Sequence, residues 1–231
     1  MPKKNIPEYN SNLRKNIIRM PKIIREKTSG INIFGKTIHS ILFSTDVAII
    51  KNSNADAIIA VYPFTPHPAI TQSILLISDV PVLCGVGGGL TSGLRSAKIA
   101  LHAEFQGALA VVLNAPASAE TISLVKKTVD IPVIYTLVSQ NFNCLQEKID
   151  SGIDIFNISG GENTPEIVKL VHKKYSHIPI IATGGKTENS IEETIKSGAN
   201  AISYTPPSSA ELFKQSMSEY RNMFQIKDEN T

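Results

Sequence analysis

The strongest constraint on the fold is a repeated unit: a short apolar run ends at small or polar residues, and a helix-period segment follows. The clearest copy spans residues 178–213. Its first apolar run, 180–183, ends at Gly184-Gly185, and its second, 199–204, follows a helix that stops at Gly198. Strands that alternate with helices in this way predict parallel βα units.

The same unit repeats along most of the chain. The apolar runs are rich in β-branched residues, which is typical of parallel strands buried on both faces. An open, doubly wound sheet is the alternative, but eight strands without a second domain favour one α/β fold, a single (β/α)8 TIM barrel. The eight predicted strands cover residues 40–44, 57–62, 80–84, 108–113, 132–135, 153–158, 180–183 and 199–204.

Two segments flank the predicted barrel, which we place at residues 31–225. Residues 1–30 form an N-terminal helical extension, whose amphipathic part is interrupted by Pro21. We expect this extension to cover the N-terminal end of the barrel, and residues 31–41 to form a small hairpin that leads into the first strand. Residues 226–231 are polar, and we expect a frayed tail there.

Composition excludes several classes of protein. The net charge of +3 over 231 residues, with no interleaved basic and aromatic residues, gives no reason to expect a nucleic-acid partner. No apolar run reaches membrane-spanning length, and the N-terminus lacks the apolar core of a signal peptide. Two cysteines, Cys84 and Cys144, do not indicate a stapled secreted fold. We therefore expect a cytoplasmic protein without a membrane partner, and the sequence leaves a homo-oligomer open.

A phosphate site is predicted at the loops after the seventh and eighth strands, where (β/α)8 barrels often bind phosphate. Backbone N–H groups at the starts of helices are free to bind an anion there, and one lysine adds charge. We expect a small phosphorylated molecule as the ligand. The predicted phosphate-binding residues are Gly160, Gly161, Gly184, Gly185, Lys186, Thr205, Ser208 and Ser209.

Polar residues at the carboxyl ends of the other strands are the candidates for catalysis, because barrel active sites lie there. Asp46 is the first candidate for proton transfer, helped by His67 or by Asn114. Tyr135 and Asn157 would bind substrate oxygen or nitrogen atoms. The spacing of acidic residues and histidines does not resemble a zinc or iron site, so no cofactor is obvious and no metal is predicted.

Each candidate also has a structural interpretation. Asp46 is placed to cap a helix, and His67 lies in a proline-flanked loop that is compatible with the surface. Cys84 is either a nucleophile or, more simply, a small buried hydrophobe. His102 and Glu104 fall near the end of a helix, away from the expected mouth, and we interpret them as structural or as a subunit contact.

Residues 178–201 resemble the seventh strand and helix of aldolase-type TIM barrels that bind phosphate, a group that includes flavin-mononucleotide (FMN) barrels. The whole chain is similar to a set of bacterial barrels that carry only the name hydrolase. The second resemblance rests on VYPFTP at 61–66, CGVGGG at 84–89, LHAEFQG at 101–107 and YTPP at 204–207. It implies the fold and a hydrolase label, but no catalytic role for any residue.

Together these features predict a cytoplasmic enzyme that acts on a small phosphorylated metabolite by hydrolase or by lyase/isomerase chemistry. Two alternatives stay open. The first is an oxidoreductase that binds FMN at the same phosphate site. The second is a barrel that senses a phosphorylated ligand and does not turn it over.

Overall fold

The protein forms a closed eight-stranded parallel barrel, as the sequence predicted. The structure is a computed structural model that describes residues 18–228 together with Pro7 and Ser11. A hairpin of β1 (Ile31–Ile33) and β2 (Lys36–Ile38) precedes the barrel. The barrel strands, in spatial order with β10 pairing back to β3, are β3 (Ser40–Phe43), β4 (Ala57–Ala60), β5 (Val82–Gly87), β6 (Ala110–Asn114), β7 (Val133–Leu137), β8 (Ile155–Ile158), β9 (Ile180–Thr183) and β10 (Ala201–Tyr204).

A helix follows every barrel strand, so the fold is a (β/α)8 TIM barrel. One further helix, α1 (Lys22–Lys27), precedes the hairpin. The eight that follow barrel strands are α2 (Val47–Lys51), α3 (Pro68–Ile77), α4 (Gly93–Phe105), α5 (Ala119–Lys126), α6 (Leu145–Asp150), α7 (Thr164–Lys174), α8 (Glu188–Lys196) and α9 (Ser209–Asp228).

Two layers of apolar side chains stabilise this arrangement. The inner layer fills the barrel and includes Ile41, Ile59 and Ile134. The β1–β2 hairpin closes the N-terminal end of the barrel, because Ile31 and Ile38 belong to the same buried cluster. The outer layer lies between the strands and the helices. Because successive side chains of a strand point to opposite faces, membership of a layer shows which residues face the interior.

A polar residue just before three of the strands fixes the N-terminal end of the barrel. Oδ2 of Asp56 accepts from the backbone N–H of Ser40 at 2.9 Å. In the same way, Asp154 accepts from Val133 and Asn200 accepts from Ile180, both at 2.8 Å. Each acceptor satisfies the first N–H of a neighbouring strand, which would otherwise stay unpaired at the edge of the barrel.

The N-terminal segment lies across the seam between β10 and β3, and not over the end of the barrel as we expected. Ile18 exchanges backbone hydrogen bonds with residues after α2, and Lys27 on α1 pairs with Glu192 on α8. Ile24 is fully buried in the outer layer. The hairpin already closes the end of the barrel, which leaves the seam for this segment. Residues 1–6, 8–10 and 12–17 of the predicted extension lie outside the described residues.

The last helix, α9, projects from the barrel. Leu212 in its first turn packs on the outer layer, whereas Phe213 and Phe224 are exposed. The helix continues to Asp228, and residues 229–231 of the predicted tail lie outside the described part. No helix that the structure describes is long and apolar enough to cross a membrane.

We expect Ile24→Ala to lower the free energy of unfolding by about 3 kcal/mol, because it leaves a cavity over the seam that closes the barrel. Leu76→Ala on α3, where the side chain is 77% exposed, is the control and should change stability by less than about 0.5 kcal/mol. Urea unfolding followed by circular dichroism measures both values. A loss below about 1 kcal/mol for Ile24→Ala would show that the segment does not stabilise the closure.

Asp56 should make the barrel less stable in acid. Burial alone would raise the pKa of this carboxyl, but hydrogen bonds from Ser40 and His39 and the charge of Arg25 outweigh burial and lower it. A lowered pKa stabilises the folded state above the ordinary value near 3.8, and this stabilisation is lost as the pH falls. We expect Asp56→Asn to be less stable than the wild type at pH 7, and the urea midpoints to converge as the pH falls below the ordinary carboxyl pKa of 3.8. Parallel pH profiles would contradict this.

Candidate functional site

Eight side-chain positions form the uppermost inward layer at the carboxyl ends of the strands. They follow from the alternation along each strand, because the residue two positions earlier belongs to the inner cluster in every case. The position on β5 is Gly85, which lies beside an irregularity of the sheet between Gly85 and Gly87. The eight positions, from β3 to β10, are Phe43, Val61, Gly85, Asn114, Thr136, Asn157, Thr183 and Ser203.

This layer, which we call the mouth layer, has two unlike halves. The strands β3 to β5 contribute two apolar side chains and a glycine, and Phe43 is 39% exposed. The strands β6 to β10 each contribute one uncharged polar side chain. The mouth therefore offers an apolar wall opposite a wall of hydroxyl and amide groups. Of its members, Asn114 and Asn157 were the predicted catalytic candidates. Thr136 and Thr183 are also polar residues at predicted strand ends, but their inward orientation is known only from the structure.

Asn157 uses only one of the two hydrogen-bonding atoms at the end of its side chain. Its side chain is 7% exposed, and its Nδ2 donates to Oγ1 of Thr136 at 3.1 Å. Its Oδ1 is buried and has no hydrogen-bond partner in the described part of the chain. A buried acceptor without a partner is costly and uncommon, so this atom is a candidate for contact with a ligand.

A cavity of about 970 Å³ lies beside the mouth, among the loops that follow β8, β9 and β10. Thr183 belongs both to its lining and to the mouth layer, so the cavity adjoins the polar wall. Lys186 is the one cationic residue in the lining, which also contains Glu162, Glu193 and Glu211. The location is that of the predicted phosphate site, but the surroundings are more acidic than we expected.

The structure separates the four predicted phosphate-binding glycines into two pairs. Gly160 and Gly184 are packing residues: a Cβ atom would lie 2.3 Å from Ile167 and 2.7 Å from Ile202, respectively. Their N–H groups already donate to Thr164 Oγ1 and to the Ser203 carbonyl.

Gly161 and Gly185 line the cavity, and both have positive φ angles, +62° and +77°. The N–H groups of Gly185 and Lys186 have no acceptor among the described residues. These two amides form the part of the predicted cradle that is free to bind an anion. The Lys186 ammonium lies beside them, and its charge also acts on Glu211, where it is one of the causes of a lowered pKa.

The other predicted anion donors are already occupied. The N–H and Oγ of Ser208 both donate to Glu211, each at 2.8 Å. Ser209 donates its N–H and its Oγ to Oδ2 of Asp46. The start of α9 thus binds two carboxylates of the protein itself, which leaves exposed Thr205 as the residue of this loop whose placement agrees with the prediction.

Asp46 is a helix cap. Its Oδ1 accepts from the N–H groups of Ala48 and Ile49, at 2.9 and 3.3 Å, and its Oδ2 connects α2 to Ser209 on α9. The hydrogen bond from the Ser209 hydroxyl is the largest cause of a lowered pKa at Asp46. A carboxylate with both oxygens engaged and a lowered pKa is a poor general base, so the structure favours the capping interpretation.

His67 also caps a helix and is exposed. Its Nδ1 accepts from the N–H of Ala69 at 3.2 Å, and its own N–H donates to the Tyr62 hydroxyl at 2.8 Å. Glu104 likewise has a structural role, because it accepts from the N–H groups of Asp130 and Ile131. The surface interpretation of His67 and the structural interpretation of Glu104 therefore agree with the structure.

Tyr135 and Cys84 face away from the mouth. This corrects the expectation for Tyr135 and agrees with the simpler interpretation of Cys84 as a buried hydrophobe. They belong to the outer layer between strands and helices, and the Tyr135 hydroxyl accepts from Lys148 Nζ on α6 at 2.6 Å. Burial raises the pKa of the Cys84 thiol to about 12, so the group stays protonated at neutral pH and is a buried hydrophobe. Cys144 is exposed, and both cysteines are free.

Solved structures show the same fold. A 2,3-dimethylmalate lyase, a member of the PEP mutase/isocitrate lyase superfamily, is 14% identical with a TM-score of 0.62 over 90% of this chain and 85% of its own. The phosphoenolpyruvate phosphomutase of Streptomyces platensis subsp. rosaceus is 13% identical, with a TM-score of 0.61 over 83% of each chain. No protein-family model matches the sequence, and no curated protein is significantly similar to it.

A third structure, phosphonopyruvate hydrolase in complex with oxalate and Mg²⁺, has a TM-score of 0.59 at 12% identity and covers 86% of this chain and 84% of its own. At such identities the likeness concerns the fold alone. The residues of this chain do not fit a comparable ion. Among residues 18–228 no group of three or more histidines, cysteines, aspartates or glutamates is placed to hold a metal, and the mouth layer contains no carboxylate.

Substitutions of Asp46 test its role as a helix cap. Asn is an equally good cap, so we expect Asp46→Asn to retain most of the stability, whereas Asp46→Ala should lose about 1 kcal/mol. Urea unfolding of the two variants and of the wild type measures the difference. Equal losses for both variants would show that the carboxylate charge, and not the cap, is what the fold requires.

Proposed function

We propose that this protein is an enzyme that acts on a small metabolite with one anionic group, most simply a phosphate. The observation that carries this proposal is the free pair of N–H groups at Gly185 and Lys186, which lies in a cavity that adjoins the polar wall of the mouth. The anion would bind at the turn after β9, and the rest of the molecule would extend past Thr183 into the mouth.

The fold supports the proposal, because the turn after β9 is in the region where (β/α)8 barrels frequently bind phosphate. Gly185 lines the cavity with a positive φ angle, and the Lys186 ammonium adds a full charge to the partial charges of the amides, against the carboxylates elsewhere in the lining. Solved barrels of this fold include lyases, mutases and hydrolases of small acids. Lyase, isomerase or hydrolase chemistry is accordingly the proposed reaction class.

In this proposal, proton transfer is carried out by residues that line the cavity beside the mouth, and not by the residues of the mouth layer. The mouth layer contains no titratable side chain, whereas Lys186 and Glu162 line the cavity. Asp46 is the weaker candidate, because both of its oxygens are engaged. The same observation supports the second candidate function, a barrel that binds the ligand as a sensor without turnover.

Lys186→Glu tests the anion site. We expect it to weaken the binding of inorganic phosphate, measured by isothermal titration calorimetry, at least about tenfold, because an attractive charge becomes repulsive. Lys169→Glu, at an exposed position on α7, is the matched control and should bind like the wild type. Gly185 is less suitable for this test, since a Cβ there would lie 2.5 Å from Ser190 Oγ.

Two outcomes would count against the proposal. If the wild type and Lys186→Glu bind phosphate equally, the anion does not bind at this turn. If purified protein shows flavin absorbance and native mass spectrometry detects FMN, the oxidoreductase alternative replaces the proposed reaction class. Tight binding of a phosphorylated metabolite without any change to it over hours would favour the sensor.

A further inference from the structure

We infer that Asn157 determines substrate specificity, and that its free Oδ1 accepts a hydrogen bond from a hydroxyl group at the uncharged end of the substrate. The inference rests on the proposed function, because it takes the anionic end to bind at Gly185 and Lys186. It names the substrate class: a phosphorylated chain whose other end is an alcohol, and not a second acid.

The unpartnered oxygen is the first argument. Asn157 is more than nine-tenths buried, faces the barrel interior, and uses its Nδ2 on Thr136. Its Oδ1 has no partner in the described part of the protein. A group that can only accept selects a ligand with a hydrogen to donate, and it penalises an analogue that lacks one, since the acceptor then stays unpaired.

The second argument is that the mouth layer contains no positively charged side chain. A substrate with an acid at both ends needs a cation or a metal ion at each. The mouth layer holds neither a lysine, an arginine nor a histidine, and the described residues form no metal cluster. A carboxylate beside Asn157 would meet an acceptor oxygen and no compensating charge. Phe43 and Val61, on the opposite wall, are suited to contact the carbon skeleton.

A polyol phosphate combines the two groups that this arrangement would recognise: a phosphate for the turn after β9, and a terminal hydroxyl for the free oxygen of Asn157. Ribitol 5-phosphate is a suitable probe of this class.

The test compares ribitol 5-phosphate with its 1-deoxy analogue and with the 1-carboxylate, ribonate 5-phosphate. Dissociation constants come from calorimetry on the wild type, Asn157→Leu and Asn157→Ser. We expect the wild type to prefer ribitol 5-phosphate over the other two roughly tenfold or more. In Asn157→Leu the preference over the deoxy analogue should fall to about one, and affinity for inorganic phosphate should stay unchanged.

Tyr175→Phe is the matched control. Its hydroxyl is also buried without a partner, but it belongs to the outer layer, against Phe156. This variant should keep the wild-type preference. If the wild type binds all three phosphates equally, or if the preference survives both Asn157 variants, the inference about Asn157 is wrong while the phosphate site stands. If none of the three compounds nor inorganic phosphate binds, the proposed function itself fails and the inference fails with it.

Discussion

Closure of the sheet between β10 and β3 is the constraint on which the rest of the structure depends. With the parallel pairing complete, the last inward residues of all eight strands meet at the carboxyl end of the barrel, whatever their distance in sequence. The N-terminal segment covers this seam through Ile24, and Asp56 anchors the beginning of β3 next to it. The end that fixes the barrel and the end that carries the candidate site are therefore separate.

Strand order and strand ends were predictable from sequence, because parallel strands buried on both faces are continuous apolar runs with polar residues after them. The same property conceals which face of a strand is inward. Both faces of β7 are buried, so nothing in the sequence shows that Tyr135 faces the helices and Thr136 the mouth. Both residues are at the predicted end of the strand, and Tyr135 was preferred for its chemistry, whereas the structure places Thr136 in the mouth.

Contacts between distant residues decide the remaining roles. Gly184 resembles Gly185 in sequence, but Ile202 packs against it and leaves no room for a side chain. Ser209, which is 163 positions away in sequence, donates a hydrogen bond to Asp46. The carboxylate that was the first candidate for proton transfer therefore connects two helices. Loop composition predicts where an anion site lies in a barrel, but not which of its N–H groups are already bonded within the protein.

The shared fold does not show which reaction this chain catalyses. The solved barrels include a hydrolase with Mg²⁺ and oxalate, whereas this mouth places uncharged hydroxyl and amide groups opposite an apolar wall. An uncharged polar mouth stabilises substrate through hydrogen bonds whose strength depends on the exclusion of water. No described protein group pairs with the Asn157 oxygen, and in our proposal a ligand hydroxyl does so. A polar atom that the fold itself does not satisfy is an indication of a binding role, because sequence and structure are expected to disagree mainly at functional sites.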